Sequence, residues 1–192
     1  MKSMIKRPTE QAQSWISAAL SEGDCAIDAT VGNGHDTLFL ARCVGDRGRV
    51  IGFDVQQVAI DAAQKLLLEN QIDAGIVDFH CCSHGLLANH VKTPVAAVMF
   101  NLGYLPGADH SLITTKDETL VALQAAAQLL QPGGLITVVC YPGHPGGDEE
   151  MSGVIAWATA LDGNWQVVKY EKIGTLKKAP VLLAIEKKGS QL

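Results

Sequence analysis

No apolar run in the chain approaches the roughly 18 residues that a membrane-spanning helix requires. The opening residues also lack the apolar core of a secretory signal, because Lys2, Lys6 and Arg7 run on into Thr9, Glu10 and Gln11. These absences predict a cytoplasmic protein with no membrane partner. Cys-x-x-Cys spacing is missing too, although there are five cysteines, Cys25, Cys43, Cys81, Cys82 and Cys140. Their odd number argues against a disulfide framework, and the vicinal Cys81-Cys82 beside His80 and His84 matches no common zinc spacing, so no metal is assigned. Excess positive charge is absent as well. The formal net charge of −5 argues against indiscriminate adhesion to nucleic acid, which depends on many cationic contacts to phosphate. Nor is there an internal repeat, a low-complexity tract or a linker. With 47% hydrophobic and 18% charged residues over 192 positions, the chain is globular and long enough to bury a core, and residues 1–192 are read as one domain.

What is present alternates. Residues 8–21 carry Pro8 at a helix start and Ala12, Trp15, Ile16, Ala19 and Leu20 at helical spacing. Buried strands are expected at 25–29, 50–54, 74–79, 94–100 and 135–140, and helices at 36–43, 57–69, 115–130 and 149–161, with Gln131-Pro-Gly-Gly134 stopping the long helix. Pro94-Val-Ala-Ala-Val-Met-Phe100 is nearly continuous apolar sequence, as a central parallel strand buried on both faces must be, and should lie beside the first strand. The connection between the last two strands, 165–170 and 180–185, is too short for a crossover helix, so these two should pair antiparallel. The fold expected is α/β, a doubly wound sheet of seven mostly parallel strands with an antiparallel C-terminal strand, helices on both faces and a reversed edge. The segment 165–192 carries Lys169, Lys172, Lys177, Lys178, Lys187 and Lys188 against Glu171 and Glu186. That is either a solvated, aggregation-resistant sheet edge or an RNA-facing patch.

Three segments carry chemistry. Asp28-Ala-Thr-Val-Gly-Asn-Gly-His-Asp-Thr37 is a glycine turn between the first strand and the next helix, and Asp54 follows at the end of the second strand. Gly32 and Gly34 allow positive φ and close approach of backbone to a ligand, and the Asp54 carboxylate could accept both hydroxyls of an adenosine ribose. The sixth position of the turn is Thr37, which departs from the dinucleotide fingerprint. Glycines at offsets of four and six from Asp28 resemble the pattern of S-adenosylmethionine enzymes. The second segment, Asn101-Leu-Gly-Tyr104 with Leu105-Pro-Gly-Ala-Asp109, follows the fourth strand at the carboxyl edge where α/β sheets bind ligands. It resembles the Asn/Asp-Pro-Pro-Tyr loop of amino-group methyltransferases, with Leu102 and Gly103 in place of the prolines. The third, Tyr141-Pro-Gly-His-Pro-Gly-Gly-Asp-Glu-Glu150, leaves the fifth strand with more turn residues than a turn needs and should put His144 on a substrate wall.

Together these segments, with Phe53-Asp-Val-Gln56, resemble the putative rRNA methylase family of small bacterial proteins over nearly the whole chain. The resemblance implies a Rossmann-like class I methyltransferase using S-adenosylmethionine. It also implies that the 5-aminomethyl group of 2-thiouridine at the transfer-RNA wobble position is the methyl acceptor. Ala108 stands where the family pattern leads us to expect glycine. On this reading Asn101 orients the amine, Tyr104 packs on the uracil ring, and His144 or Asp109 provides a route for the proton. Asp54 takes the ribose with Gln56 beside it. Gly32 and Gly34 allow backbone approach, and Asn33, His35, Asp36 and Thr37 make polar contacts around the methionine end. Asp28 either joins them or stabilises the turn. Cys82, Ser83 and His84 are candidates for the adenine, and Asn101 borders the cofactor as well. The RNA, gripped at its anticodon region, would be held by the N-terminal basic residues, the C-terminal lysines or a homodimer. The rivals are a small-molecule or ribosomal-RNA methyltransferase, an NAD-dependent oxidoreductase and a non-catalytic cofactor-binding module, which fold alone does not separate.

Overall fold

The computed structural model describes residues 4–103, 113–176 and 178–189. In chain order the elements are α1 (Pro8–Ala19), β1 (Cys25–Asp28), α2 (His35–Val44), β2 (Arg49–Asp54), α3 (Gln57–Glu69), β3 (Val77–Cys81), the single turn α4 (Leu87–His90), β4 (Val95–Asn101), α5 (Lys116–Leu129), β5 (Leu130–Cys140), α6 (Gly147–Thr159), β6 (Trp165–Tyr170) and β7 (Val181–Lys187). Local sequence sets the helix ends. Pro8 opens α1, where its missing N–H costs nothing, and Asp148, Glu149 and Glu150 place negative charge at the positive end of α6.

The strands form one sheet in the order β3-β2-β1-β4-β5-β7-β6. β1 pairs parallel with both β2 and β4, so the chain winds outward in opposite directions from this point. A crevice opens where the order reverses, at the carboxyl ends of β1 and β4. Alternation along the strands fills two cores. Ile27, Val98, Phe100, Ile136 and Ile185 face α5 and α6, while Ala26, Ala97, Met99, Val139 and Leu182 face α1 and α2. Six of the seven β4 residues are buried, as its unbroken apolar run demands.

Three expectations need correction. β7 is the antiparallel C-terminal strand expected, but it lies between β5 and β6, so the reversed strand is internal and β6 is the edge. Burial explains this: five consecutive β7 residues are buried, whereas the middle of β6 is exposed. Residues 74–76 are a 3-10 turn, and the third strand begins only at Val77. Gln131–Gly134 does not separate helix from strand but lies within β5, where the ladder to β4 shifts between Val95 and Ala97.

Candidate active site

The crevice at the reversal point is lined by Ala29, Thr30 and Gly32 below, Asp54 and Gln56 at one side, and Cys82, Ser83 and Asn101 around the rest. Asp54 closes the glycine turn: its Oδ2 accepts from Gly32 N at 2.9 Å and its Oδ1 from Gln56 N at 2.9 Å. Each oxygen keeps a second lone pair for a ligand. Beneath the turn, Asp28 is fully buried and accepts from the Thr37 hydroxyl at 2.6 Å and Thr30 N at 3.2 Å. Burial, with the Asp36 charge nearby, pushes its carboxyl up to about 7.

Asn101 ends β4, and its side-chain orientation is fixed by chemistry. Its Nδ2 donates to Asp36 Oδ2, while Gln13 of α1 donates to Asp36 Oδ1 at 2.7 Å. A carboxylate can only accept, so the amide nitrogen must face Asp36 and the amide oxygen must face away. That oxygen is buried and has no hydrogen-bond partner among the described residues. Burial raises the Asp36 carboxyl, and the two amide donors pull it back. An unsatisfied buried acceptor costs ~1–3 kcal/mol, which a ligand donor can recover.

A second crevice lies beyond Asn101, lined by Leu102, Gly103, Tyr141, Pro142, Gly143 and His144. Asn101 and Gly103 border both crevices. His144 is held by its own loop: Nδ1 donates to the Pro145 carbonyl at 2.9 Å, and a Cβ on Gly147 would come within 2.7 Å of Nε2. The asparagine loop is tied to α5 and α6. Gly103 N donates to Thr114 Oγ1 at 2.9 Å, and Thr114 donates to Glu150 Oε2 at 2.8 Å. Thr119 donates to Glu150 Oε1 at 2.6 Å. The buried His84 lies beside them, with Nδ1 3.2 Å from the Ala29 carbonyl and Nε2 3.4 Å from Thr119. Burial lowers the His84 pKa, which favours the neutral ring, and the Ala29 carbonyl fixes its proton on Nδ1.

The sequence profile of the family described as Putative rRNA methylase matches residues 50–186. The chain belongs to this family. It is 39% identical over 194 residues to a chloroplastic tRNA (mnm(5)s(2)U34)-methyltransferase of Arabidopsis thaliana, covering 95% of this chain and 70% of that protein. The crystal structure of a putative rRNA-methylase from Clostridium thermocellum superposes with a TM-score of 0.93 at 40% identity, covering 96% of this chain and 100% of that one. A putative methyltransferase from Streptococcus mutans, crystallised in complex with SAH, has a TM-score of 0.88 at 35% identity and covers 96% and 99%.

In this family member the structure brings Gly32, Asp54, Gln56, Cys82, Ser83, His84 and Asn101 to the first crevice, and Asn101 and His144 to the second. Asp28, Asn33, Gly34, His35, Asp36 and Thr37 do not line the first crevice. Asn33 and His35 are exposed beside it, and Asp28, Asp36 and Thr37 are buried. Gly34 has φ +79°, and a Cβ there would sit 2.6 Å from Ala63 Cα, so its bareness serves the packing of α2 on α3. Tyr104 and Asp109 lie outside the described residues. Gln13, Thr114, Thr119, Tyr141 and Glu150 were missed as site residues. Tyr141 and Glu150 stood in a segment already singled out, but Gln13 and Thr119 sit on ordinary helices with no local signal. Among the described residues, no group of three or more His, Cys, Asp or Glu is placed to hold a metal, and no helix is long and apolar enough to cross a membrane.

Proposed function

We propose that this protein is an S-adenosylmethionine-dependent methyltransferase that N-methylates the 5-aminomethyl group of 2-thiouridine at the wobble position of transfer RNA, in the cytoplasm. One observation carries the reading. Asn101, which with Gly103 borders both crevices, has its amide nitrogen tethered to Asp36 and its buried oxygen left as an acceptor. A donor on one side and an amine on the other would meet there. The resemblance to the Arabidopsis enzyme supports the same acceptor.

The first crevice suits the cofactor. Asp54 offers two acceptor lone pairs at the height of a ribose, and the bare backbone of Gly32 permits close contact. Cys82 and Ser83 would border the adenine, with His84 as an inward-turned wall rather than a ligand. Asn33, His35 and the free amides at the start of α2 would receive the methionine carboxylate. When bound, the cofactor supplies an electrophilic methyl group on a sulfonium.

The remaining work falls to the chain. A primary alkylamine has a free pKa near 10, so it arrives protonated and must lose that proton before it can attack. Asn101 Oδ1 accepts one amine hydrogen and aims the nitrogen lone pair along the methyl axis, which turns a chance encounter into a held geometry. His144 or Asp109 takes the released proton. Tyr104 is assigned to pack on the uracil, and Tyr141 lines the acceptor crevice.

The test is methyl transfer from labelled cofactor into transfer RNA from cells lacking this protein, followed by nucleoside mass analysis. Label in 5-methylaminomethyl-2-thiouridine is expected. Incorporation only into ribosomal RNA, or only into a small molecule, would overturn the reading.

A further inference from the structure

Two basic segments that lie far apart in the chain meet beside the acceptor crevice. Tyr170, at the end of β6, donates its hydroxyl hydrogen to the Lys6 carbonyl at 2.8 Å across a separation of 164 residues, and its ring meets Trp15 edge-on. This tie draws the entry to α1 against the connection between β6 and β7. A groove forms between them, with Arg7, Lys172 and Lys178 along it and Tyr141 at one end. Lys6 and Lys172 border an adjoining hollow. Tyr141 also lines the crevice that holds Asn101 and His144, so groove and acceptor crevice adjoin at this ring.

The cations are available. Arg7 pairs with Glu10 at 2.9 Å and Lys178 with Asp148 at 2.6 Å, yet all four side chains are roughly half to three-quarters exposed. Exposed pairs of this kind are worth only ~0–1 kcal/mol, so a phosphate can displace the carboxylate at little cost. Lys172 makes no ion pair among the described residues. A chain of net charge −5 repels a polyanion as a whole, and a local cationic groove then decides where the polyanion settles. The aromatic ring at the groove's end suits a strand whose bases stack as its phosphates are neutralised.

We propose that this groove holds the phosphate backbone of the substrate RNA next to the nucleotide presented to Asn101, with Arg7, Lys172 and Lys178 as the phosphate contacts and Tyr141 at the turn into the crevice. The inference rests on the RNA reading above and assigns the surface that the net charge leaves unexplained.

The experiment compares the full chain with the triple variant Arg7→Gln, Lys172→Gln, Lys178→Gln on two acceptors, unmethylated transfer RNA and the free 5-aminomethyluridine nucleoside, over a range of salt. For wild type, log KM for the RNA should rise with log salt. In the triple variant that slope should fall by about two to three, since each lost phosphate contact removes ~0.7–0.9. kcat and turnover of the nucleoside should stay within about twofold of wild type. Lys65→Gln, on α3, is the distal control and should leave the slope unchanged. If the triple variant melts early, Lys172→Gln alone breaks no ion pair and should lower the slope by about one. Equal slopes for wild type and variants would overturn the groove while sparing the RNA reading. A wild type that methylates the nucleoside but not the RNA would overturn both.

Discussion

Replacing Asp36 by Asn changes one oxygen to nitrogen beside Asn101, and its effect can be worked out from the hydrogen bonds. Asp36 accepts from Gln13 on one oxygen and from Asn101 on the other. With Asn at position 36 a single oxygen must serve both donors. Either Gln13, half-buried on α1, turns its amide over, or Asn101 does, and the second outcome swings Nδ2 toward the acceptor in place of the oxygen. Even without the flip, a bond to a charged acceptor becomes a bond to a neutral one. Bonds to charged groups are worth ~1.5–3 kcal/mol against ~0.5–1.5 kcal/mol for neutral ones, and the difference of ~1–1.5 kcal/mol should lower kcat about 5- to 13-fold. Affinity for the cofactor should hold, since Asp36 does not line the first crevice. The sharper readout is a double-mutant cycle. Both residues act through one amide, so Asp36→Asn added to Asn101→Ala should cost little beyond Asn101→Ala alone. Single-turnover methylation at saturating RNA supplies the rates, and calorimetry with S-adenosylhomocysteine supplies the affinities. Multiplying losses, or a kcat untouched by Asp36→Asn, would refute the tether.

Asp54→Ala removes the proposed ribose acceptor together with the partner of Gly32 N and Gln56 N; titration calorimetry should find cofactor affinity at least about tenfold weaker, and undiminished affinity would exclude the assignment. Gly34→Ala forces a Cβ to within 2.6 Å of Ala63 at φ +79°, so left-handed strain and overpacking together should cost about 2–5 kcal/mol. Gly23→Ala, at φ +91° in open space, should cost only the ~1–2 kcal/mol of strain, and equal urea midpoints for the two variants would count against the packing role of Gly34. Asp28→Asn keeps the shape of a buried carboxyl that the fold raises from 3.8 to about 7. A raised folded-state pKa gives stability that is full below the unfolded value and lost as pH rises through the folded one, here up to about 4 kcal/mol. The variant should therefore gain on wild type between about pH 4 and pH 7 in urea titrations, and parallel profiles would dismiss the titration.

Much of the architecture was legible because the signals are local. The unbroken apolar run of β4 requires burial on both faces, and it is found beside β1. The short link between β6 and β7 requires antiparallel pairing, and they pair so. Which of the two lies against β5 is a matter of burial, and the sequence held that signal: Val181-Leu-Leu-Ala-Ile185 is apolar throughout, whereas Trp165-Gln-Val-Val-Lys-Tyr170 mixes polar residues in as an edge strand does. Asp54 was readable because its place follows from strand length after a glycine turn. The tether of Asn101 was not. Asp36 lies 65 residues away and Gln13 another 23 before it, on elements that meet only after the sheet has formed. The same holds for Glu150, whose two threonine partners come from the far side of the asparagine loop.

The placement of β7 sets an order of assembly. β6 precedes β7 in the chain, yet among the described residues its only neighbour in the sheet is β7. Until Val181–Lys187 has been synthesised and has slid into the gap, β6 has nothing to pair with and β5 exposes a long apolar border. A chain halted after Tyr170 would therefore present two raw strand margins at once, an invitation to stick to its siblings. Closure of the sheet thus depends on its last strand in chain order, whose first five residues, Val181–Ile185, are apolar and buried.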